Sequence, residues 1–191
     1  MRFLILLFFC AISLSCLAQT EASIRKYYIE VNKKIAESAE QGFEGPLYQN
    51  QLVVNKNGKS WPAVGNYADT TNFWYDDDPN HLPATERNPK NVLLKVNINR
   101  KASHLSTQEE YLFKDGKLLF YYCYQAEEGN VWETRVYYNN KSQLIKTSVK
   151  ANDKALTSQD FTKEEYKDFK PNTTTILANG KNYQDLFIKS M

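Results

Sequence analysis

The clearest structural pattern in this chain is EYLFKDGKLLFYY, residues 110–122. Two arms rich in aromatic and aliphatic residues flank Asp115-Gly116. Such residues favour strands, and an Asp-Gly pair between them favours a two-residue turn because glycine accepts a positive φ. The pattern therefore predicts a β-hairpin.

The same arrangement recurs a short distance along the chain. Residues 135–138 read RVYY, a turn is predicted over 139–142, and residues 143–146 return as QLIK. With the second turn one residue longer, the two units align at two positions, Phe113 with Tyr138 and Leu118 with Leu144. Two hairpins in tandem predict a four-stranded antiparallel meander, and the connection between them at 127–130 is expected to be a longer, adaptable loop.

The returning strand of the first hairpin is apolar on both faces. Simple alternation divides its residues into Leu118, Phe120, Tyr122 and Tyr124 on one face and Leu119, Tyr121 and Cys123 on the other. A strand buried on both faces needs a cover on each, so we expect helices on one side and a partner, ligand or second layer on the other. Cys123 is expected to be a core residue, since no neighbouring His or basic residue would lower the pKa of its thiol.

Further strands are predicted before these hairpins. Residues 47–55 and 70–75 are rich in β-forming residues. Residues 92–99 alternate apolar with mostly polar side chains, which predicts one dry face and one mostly wet face. The segment 76–91 contains prolines among acidic and Asn residues and is predicted to be a loop.

Helices are predicted at both ends of the domain. Residues 20–39 form an amphipathic pattern, with Thr20 suited to the N-cap and Gly42 just past the end. The apolar face of this helix comprises Ile24, Tyr27, Tyr28, Val31 and Ile35. Near the C-terminus, Thr162 and Glu165 form a capping-box pattern for a short helix over 163–169. A last helix is predicted from four residues at helical spacing, Ile176, Gly180, Tyr183 and Phe187.

These elements predict a single α+β domain over residues 19–191. Its N-terminal amphipathic helix and C-terminal helices are expected to pack on an antiparallel β-sheet, a meander of about five to seven strands.

Residues 1–18 have the pattern of a secretory signal peptide. A basic start precedes an apolar run over 3–14, and small residues follow. The run is short for a membrane span, which needs about 20 apolar residues. Cleavage is predicted after Ala18, so that the exported protein begins at Gln19 and resides in the periplasm or outside the cell. The alternative is a lipoprotein carrying its lipid on Cys16, the one case in which a membrane association is expected.

Composition and motifs argue against several function classes. The formal net charge is +2, so no strong field favours nucleic acid as a partner. No cofactor is expected, because glycine-rich phosphate-binding motifs are absent from the sequence. No metal site is expected either, since His81 and His104 lie far apart and the acidic residues 76–78 are consecutive and point in different directions.

Aromatic residues provide the candidate binding surfaces, because Trp and Tyr are the usual anchors of interfaces and sugar-binding platforms. The predicted ligand- or partner-binding residues are Trp61, Trp74, Tyr75, Asp76, Asp77 and Asp78. A second aromatic set decorates the meander and comprises Tyr121, Tyr122, Tyr124, Trp132, Tyr137 and Tyr138. These features favour an exported, non-catalytic domain that binds an unknown protein or small ligand.

Two alternatives remain open. One is an envelope hydrolase that uses a carboxylate pair without a recognised motif. Its candidate acids lie on or beside adjacent predicted strands and are Glu109, Glu110, Glu127, Glu128 and Glu133. The other is a purely structural component of the envelope.

The segment EYLFKDGKLLF at 110–120, followed by residues 133–145, resembles a family of exported, uncharacterised bacterial proteins of the kind common in Bacteroidetes. Those proteins pair a signal peptide and an N-terminal helix with strand–turn–strand units. The resemblance covers about half the chain. It implies export and the hairpin architecture, but no activity, cofactor or site residue.

Overall fold

The computed structural model describes residues 20–62, 65–78 and 88–191. Its centre is one antiparallel sheet in which nearly every strand pairs with its neighbour in sequence. The strands of these residues are β1 (Tyr48–Val54), β2 (Ser60–Trp61), β3 (Gly65–Tyr75), β4 (Leu93–Ala102), β5 (Leu105–Lys114), β6 (Lys117–Glu127), β7 (Asn130–Tyr138), β8 (Leu144–Ala151) and β9 (Lys154–Ala155). Both β1 and the short β2 pair with β3, and β4 to β9 follow in chain order. The α+β class and the meander are confirmed, and the sheet is wider than predicted.

The two long helices also form where the sequence predicts them. They are α1 (Glu21–Gln41) and, after the one-turn helix α2 (Pro89–Val92), α3 (Thr173–Ser190). At the start of α1, Thr20 Oγ1 accepts from the Ser23 N–H at 3.2 Å, and Ser23 Oγ accepts from the Thr20 N–H at 3.1 Å. This reciprocal pair satisfies N–H groups that have no partner within the helix. Gly42, with a φ of +61°, ends α1.

The two helices cover opposite faces of the sheet. From α1, Ile24 and Val31 pack on β5, β6 and β7 against Leu112, Leu119, Phe120 and Tyr137. From α3, Ile176 and Phe187 pack on the other face, in a cluster whose sheet residues include Phe73, Val96, Tyr111 and Val136. The predicted cover on each face of β6 is therefore a helix of the same chain, and the sheet forms the middle of three layers.

At Gly180, α3 lies close to the sheet. A Cβ atom at this position would lie 3.0 Å from Leu118 Cδ2 and 3.5 Å from Tyr111 Cδ1. A larger side chain would push the helix away from the buried tyrosine and leucine. The packing therefore leaves little room for a side chain at the glycine of this Asn-Gly pair, which locally disfavours a helix.

Three β-bulges change which residues face each helix. In the β3–β4, β5–β6 and β7–β8 pairs, the register skips Leu94, Leu119 and Ile145 respectively. The predicted alternation along β6 is therefore wrong at its start. Leu118 lies on the α3 face together with Tyr121 and Cys123, whereas Leu119 and Phe120 both face α1. One extra residue in a strand produces this change of face.

The predicted mostly wet face of β4 is correct at Asn99, which is exposed, but it is wrong at Lys95, because α1 covers that position. Lys95 on that face is buried and pairs with Glu110.

The connection at 127–130 is tighter than predicted. Glu127 pairs directly with Asn130, so Glu128-Gly129 is a two-residue turn, with φ values of +48° and +84°. It is of the same length as the predicted turn at Asp115-Gly116.

The predicted short helix over 163–169 is wrong. The chain there forms two 3₁₀ turns, Asp160–Thr162 and Lys167–Phe169. The Asp160 carboxylate accepts from the Thr157 N–H at 2.9 Å and from Lys163 Nζ at 2.8 Å, and such local bonds compete with a helix. Phe169 also stacks on Trp132 of β7, with ring centroids 4.7 Å apart, which holds this segment against the sheet.

The predicted signal peptide, residues 1–18, lies outside the described residues. Across 20–62, 65–78 and 88–191, none of the helices is long and apolar enough to cross a membrane.

Candidate functional site

The two tryptophans of the predicted binding region lie at opposite ends of β3. Trp61 pairs with Gly65, where β3 begins, and its ring lies 5.1 Å from that of Tyr67. Trp74 pairs with Lys95 near the end of β3. Gly65 and Trp74 are roughly 30 Å apart at the usual rise per strand residue. The structure therefore divides the predicted region into two separate places.

Trp74 and the acidic residues lie together near the end of α1. Trp74 and Asp78 line a recess of about 450 Å³ whose walls come from the end of α1 and the segment that leads into β1. Asp76 is buried and lies 3.5 Å from Lys34 Nζ, and its Oδ1 accepts from the Asp78 N–H at 3.3 Å. Asp77 is half-buried beside them.

Tyr75 lies on the other face of the sheet. Its ring is 5.5 Å from that of Tyr48 and 5.0 Å from that of Phe187 in α3. Its hydroxyl donates to Asn50 Oδ1 at 3.3 Å. Tyr75 thus packs against the sheet edge and α3, on the face opposite Trp74. Burial raises the pKa of Tyr75, and the Asp77 carboxylate acts in the same direction.

The candidate hydrolytic acids are dispersed over both faces. Glu110 faces α1 and binds Lys95 at 2.9 Å, whereas Glu109 faces α3 and lies 3.6 Å from Arg100. Glu127 binds His104 at 2.8 Å near the far end of β6. Glu133 is on the α1 face of β7, 2.6 Å from Arg135.

A polar network lies beside α3 on its face of the sheet. Arg100 links two carboxylates, with its Nε 3.0 Å from Asp69 Oδ2 and its Nη1 3.6 Å from Glu109 Oε1. Glu109 Oε2 accepts from the hydroxyls of Tyr111 at 2.9 Å and Tyr121 at 3.0 Å. Each charged group has a partner of opposite sign, as buried charges require.

Cys123 lies next to this network. Burial raises the pKa of its thiol to about 11, with the nearby Glu109 carboxylate acting in the same direction. The thiol is therefore neutral at pH 7, which disfavours a role as a nucleophile.

The α1 face holds the most developed candidate site, a recess of about 350 Å³ that we call the arginine recess. Two cross-strand pairs of β6 and β7, Phe120 with Tyr137 and Tyr122 with Arg135, supply its sheet side. One turn of α1 supplies the other wall through Ile24, Arg25 and Tyr28. Tyr28 lies four positions after Ile24 and three after Arg25, and these spacings bring side chains together on one helix surface, so all three line the same opening.

Arg25 is held at the mouth of the arginine recess by a carboxylate. Its Nε and Nη2 donate to Glu21 Oε1 at 3.0 and 2.7 Å, and its guanidinium lies 5.5 Å from the centre of the Tyr137 ring. Glu21 is held in turn by Lys146 at 2.9 Å. The hydrogen bond to Glu21 raises the pKa of Arg25, so its charge is permanent. Among the described residues, no acceptor binds Arg25 Nη1.

Arg135 lies beside a carboxylate on the sheet side, in an ion pair rather than in hydrogen bonds like those of Arg25. Its Nη1 lies 2.6 Å from Glu133 Oε2, and its guanidinium lies 5.1 Å from the centre of the Tyr122 ring. Within the part of the chain that the structure describes, Nε and Nη2 of Arg135 have no acceptor. Each arginine therefore has one side occupied by a carboxylate and retains N–H donors for another group.

The interior of the arginine recess is aromatic. The Phe120 ring lies 5.3 Å from that of Tyr28 and 4.9 Å from that of Tyr137. Burial raises the pKa of Tyr28, Tyr122 and Tyr137, so their phenols remain neutral at physiological pH. Tyr28 donates to Glu110 Oε2 at 2.6 Å, which connects the wall of the recess to the buried Lys95–Glu110 pair.

Sequence reasoning identified Tyr122 and Tyr137 as surface candidates and placed Tyr28 on the apolar face of α1, but it missed both arginines. A signal for Arg135 does exist in the sequence. Once Glu128-Gly129 is read as a two-residue turn, the pairing of Tyr122 with Arg135 follows directly, and both must lie on one face with Phe120 and Tyr137. Arg25 had no comparable signal, because its place depends on how α1 docks.

Over the described ranges, no group of three His, Cys, Asp or Glu side chains is arranged to hold a metal ion. His81 lies outside them. Searches against protein-family models, curated proteins and solved structures find no match for this chain.

Proposed function

We propose that this chain is an exported, non-catalytic domain that binds a small ligand with an anionic group and an apolar, preferably aromatic, body. The ligand would occupy the arginine recess. One observation carries the proposal: Arg25 and Arg135 line the same aromatic recess, and each retains N–H donors without an acceptor among the described residues.

The anionic group follows from the chemistry of the two guanidiniums. A carboxylate or phosphate accepts charge-assisted hydrogen bonds from arginine, each worth about 1.5–3 kcal/mol. Glu21 and Glu133 hold the guanidiniums in place, so less side-chain freedom is lost when a ligand binds.

The apolar body follows from the lining. Ile24 and Phe120 are buried, and the tyrosine rings complete an apolar interior. A volume of about 350 Å³ is within the range of small-molecule sites, roughly 300–1,000 Å³. A flat aromatic acid would place its ring against Phe120 and Tyr137 and its charge toward the guanidiniums.

Binding is favoured over hydrolysis by the placement of the acids. Glu109 and Glu110 point to opposite faces, and the carboxylates described above pair with basic side chains. A hydrolytic pair would need two acids that converge on one substrate.

Export is supported by the signal-peptide pattern in the sequence. The intact mass of the exported protein tests it by distinguishing a start at Gln19 from a lipid on Cys16.

Titration calorimetry with matched ligand pairs tests the binding proposal. A panel of aryl and alkyl carboxylates is compared with the corresponding amides, for example indole-3-acetate with indole-3-acetamide. We expect carboxylates to bind at least about tenfold more tightly than their amides, because the amide loses a charge-assisted hydrogen bond.

Variants locate the site. R135Q and R25Q should each weaken carboxylate binding by about 10- to 100-fold, whereas K101Q on exposed β4 surface should leave it unchanged. Melting curves check that each variant is folded. Equal affinity for acids and amides, or binding that survives R25Q/R135Q, would contradict the proposal, as would a panel in which no carboxylate binds.

A further inference from the structure

The two edges of the sheet differ in how they are protected. The β1 edge has the sequence YQNQLVV, which contains no charged residue, proline or glycine. Its pairing with β3 is continuous from Tyr48 to Val54, without a bulge. Natural edge strands usually carry charges, prolines or bulges that prevent pairing with another chain, and β1 has none of these.

The side chains of β1 hold it against the body of the domain. Gln49 and Gln51 both donate to Asn72 Oδ1 at 2.8 Å on one face. On the other face, Asn50 Nδ2 donates to Ser190 Oγ at 3.2 Å. In the part of the chain that the structure describes, β1 pairs only with β3, so the outward N–H and C=O groups of alternate β1 residues have no partner there. The strand is therefore both ordered and open along its outer side.

The opposite edge is covered at one end and carries charged residues. The two-residue strand β9 covers the end of β8, and the Leu156 N–H donates to the Val149 carbonyl at 2.9 Å. Lysines occur along this edge at Lys146, Lys150 and Lys154. Charged residues and a very short edge strand are both devices against strand addition.

We propose that β1 pairs antiparallel with β1 of a second copy of this chain, about a two-fold axis, to join the two sheets. An uncharged strand can pair with its own copy without like-charge repulsion. In an antiparallel pair about a two-fold axis, each contact between two residues occurs twice. Seven residues give about 24 Å of continuous ladder. Apolar side chains are exposed on both faces of this ladder, with Leu52 on one face and Val53 on the other.

The symmetric arrangement is favoured over a head-to-tail one. Pairing β1 of one copy with β8 and β9 of the next would bring an uncharged strand onto the lysine-bearing edge. It would also leave a free β1 at the end of every assembly, which leads to open filaments. Pairing of β1 with β1 covers the open β1 edge of each copy, so the assembly is closed at two copies.

Sedimentation velocity over roughly 1–100 µM protein tests the proposal, a range in which weak to moderate dimers dissociate. The unsubstituted protein should sediment as a dimer at the upper end. The L52K/V53K variant should remain a monomer throughout. The chain offers a matched control, because Leu144 and Ile145 on β8 are 51% and 38% exposed, against 42% and 37% for Leu52 and Val53. The L144K/I145K variant should therefore still form the dimer.

Hydrogen exchange of the unsubstituted protein separates strand pairing from other modes of association. Amides of residues 48–54 should exchange more slowly as the protein concentration rises, while those of 144–151 should not change. Circular dichroism confirms that both lysine variants are folded. A protein that is monomeric at every concentration overturns the proposal, even if a different partner occupies β1. A dimer that persists in L52K/V53K, or that protects no amide of β1, also overturns it.

Discussion

Replacing Glu110 with Gln perturbs the ion pair that α1 buries against the sheet. Lys95 is 1% exposed, and its Nζ lies 2.9 Å from Glu110 Oε2 and 2.6 Å from Asn32 Oδ1. Burial lowers the pKa of Lys95, which means that the folded state disfavours its charged form. The E110Q change removes the compensating charge and leaves the cation where it is.

The expected cost follows from this geometry. At 2.9 Å and an effective dielectric constant of about 20, two unit charges attract by about 6 kcal/mol. Desolvation of both ions and the partial exposure of Glu110 offset part of this attraction, so we expect E110Q to lower the free energy of unfolding by about 3 kcal/mol. The K95M/E110Q variant removes the buried cation as well and should be more stable than E110Q alone.

Urea unfolding followed by circular dichroism measures these differences. The matched control is E37Q, which breaks the exposed pair between Lys33 and Glu37 at 3.6 Å and should cost about 0.5 kcal/mol or less. If E110Q costs no more than E37Q, or if K95M/E110Q is no more stable than E110Q, then the buried charge does not carry the stability assigned to it here.

Three further predictions concern single residues. G116A and G129A should each lower the free energy of unfolding by about 1–2 kcal/mol, because φ is +71° and +84° at the two positions, and a difference above about 1 kcal/mol in urea unfolding would contradict their equivalence. Burial raises the pKa of Tyr138 to about 12, so the contribution of its neutral phenol to stability is complete below pH 10 and is lost between pH 10 and 12. Over that window the free energy of unfolding of Y138F should fall by about 2–3 kcal/mol less than that of the unsubstituted protein. The Cys123 thiol should react slowly with a soluble disulfide reagent at pH 7 until denaturant is added, whereas rapid labelling of the folded protein would indicate an activated thiolate. C123A should lower the free energy of unfolding by roughly 1–2 kcal/mol.

The elements that the sequence predicts correctly are those whose signals are local. The Asp115-Gly116 turn and the cap at Thr20 each depend on a few adjacent residues, and both form as predicted. The aligned repeat of the two hairpins also has a structural counterpart. Phe113 pairs with Leu118 and Tyr138 pairs with Leu144, and each pair is followed by a bulge.

The features that the sequence did not predict depend on packing between distant elements. No local pattern marks Leu119 as a bulge, because the position of the extra residue depends on how the flanking side chains pack against the two helices. Lys95 has the spacing of a solvent-facing residue and is buried only because α1 docks over it. The same docking brings Arg25 opposite Arg135, so the candidate site exists only at the level of tertiary structure.

The nearest-neighbour order of the sheet has a consequence for how the chain folds. From β3 to β9 each strand pairs with the strand that follows it. From β4 to β9 the connections between these strands are short, so each of those hairpins loses little entropy before its contacts form. Docking of α1 instead brings distant parts of the chain together, since the hydrogen bond from Tyr27 to the Phe113 carbonyl joins residues that are 86 positions apart. We expect the meander to form early and rapidly for a protein rich in β-structure, with α1 docking in a later, slower step. Substitutions in the hairpin turns should then slow folding, whereas substitutions on the inner face of α1 should mainly accelerate unfolding.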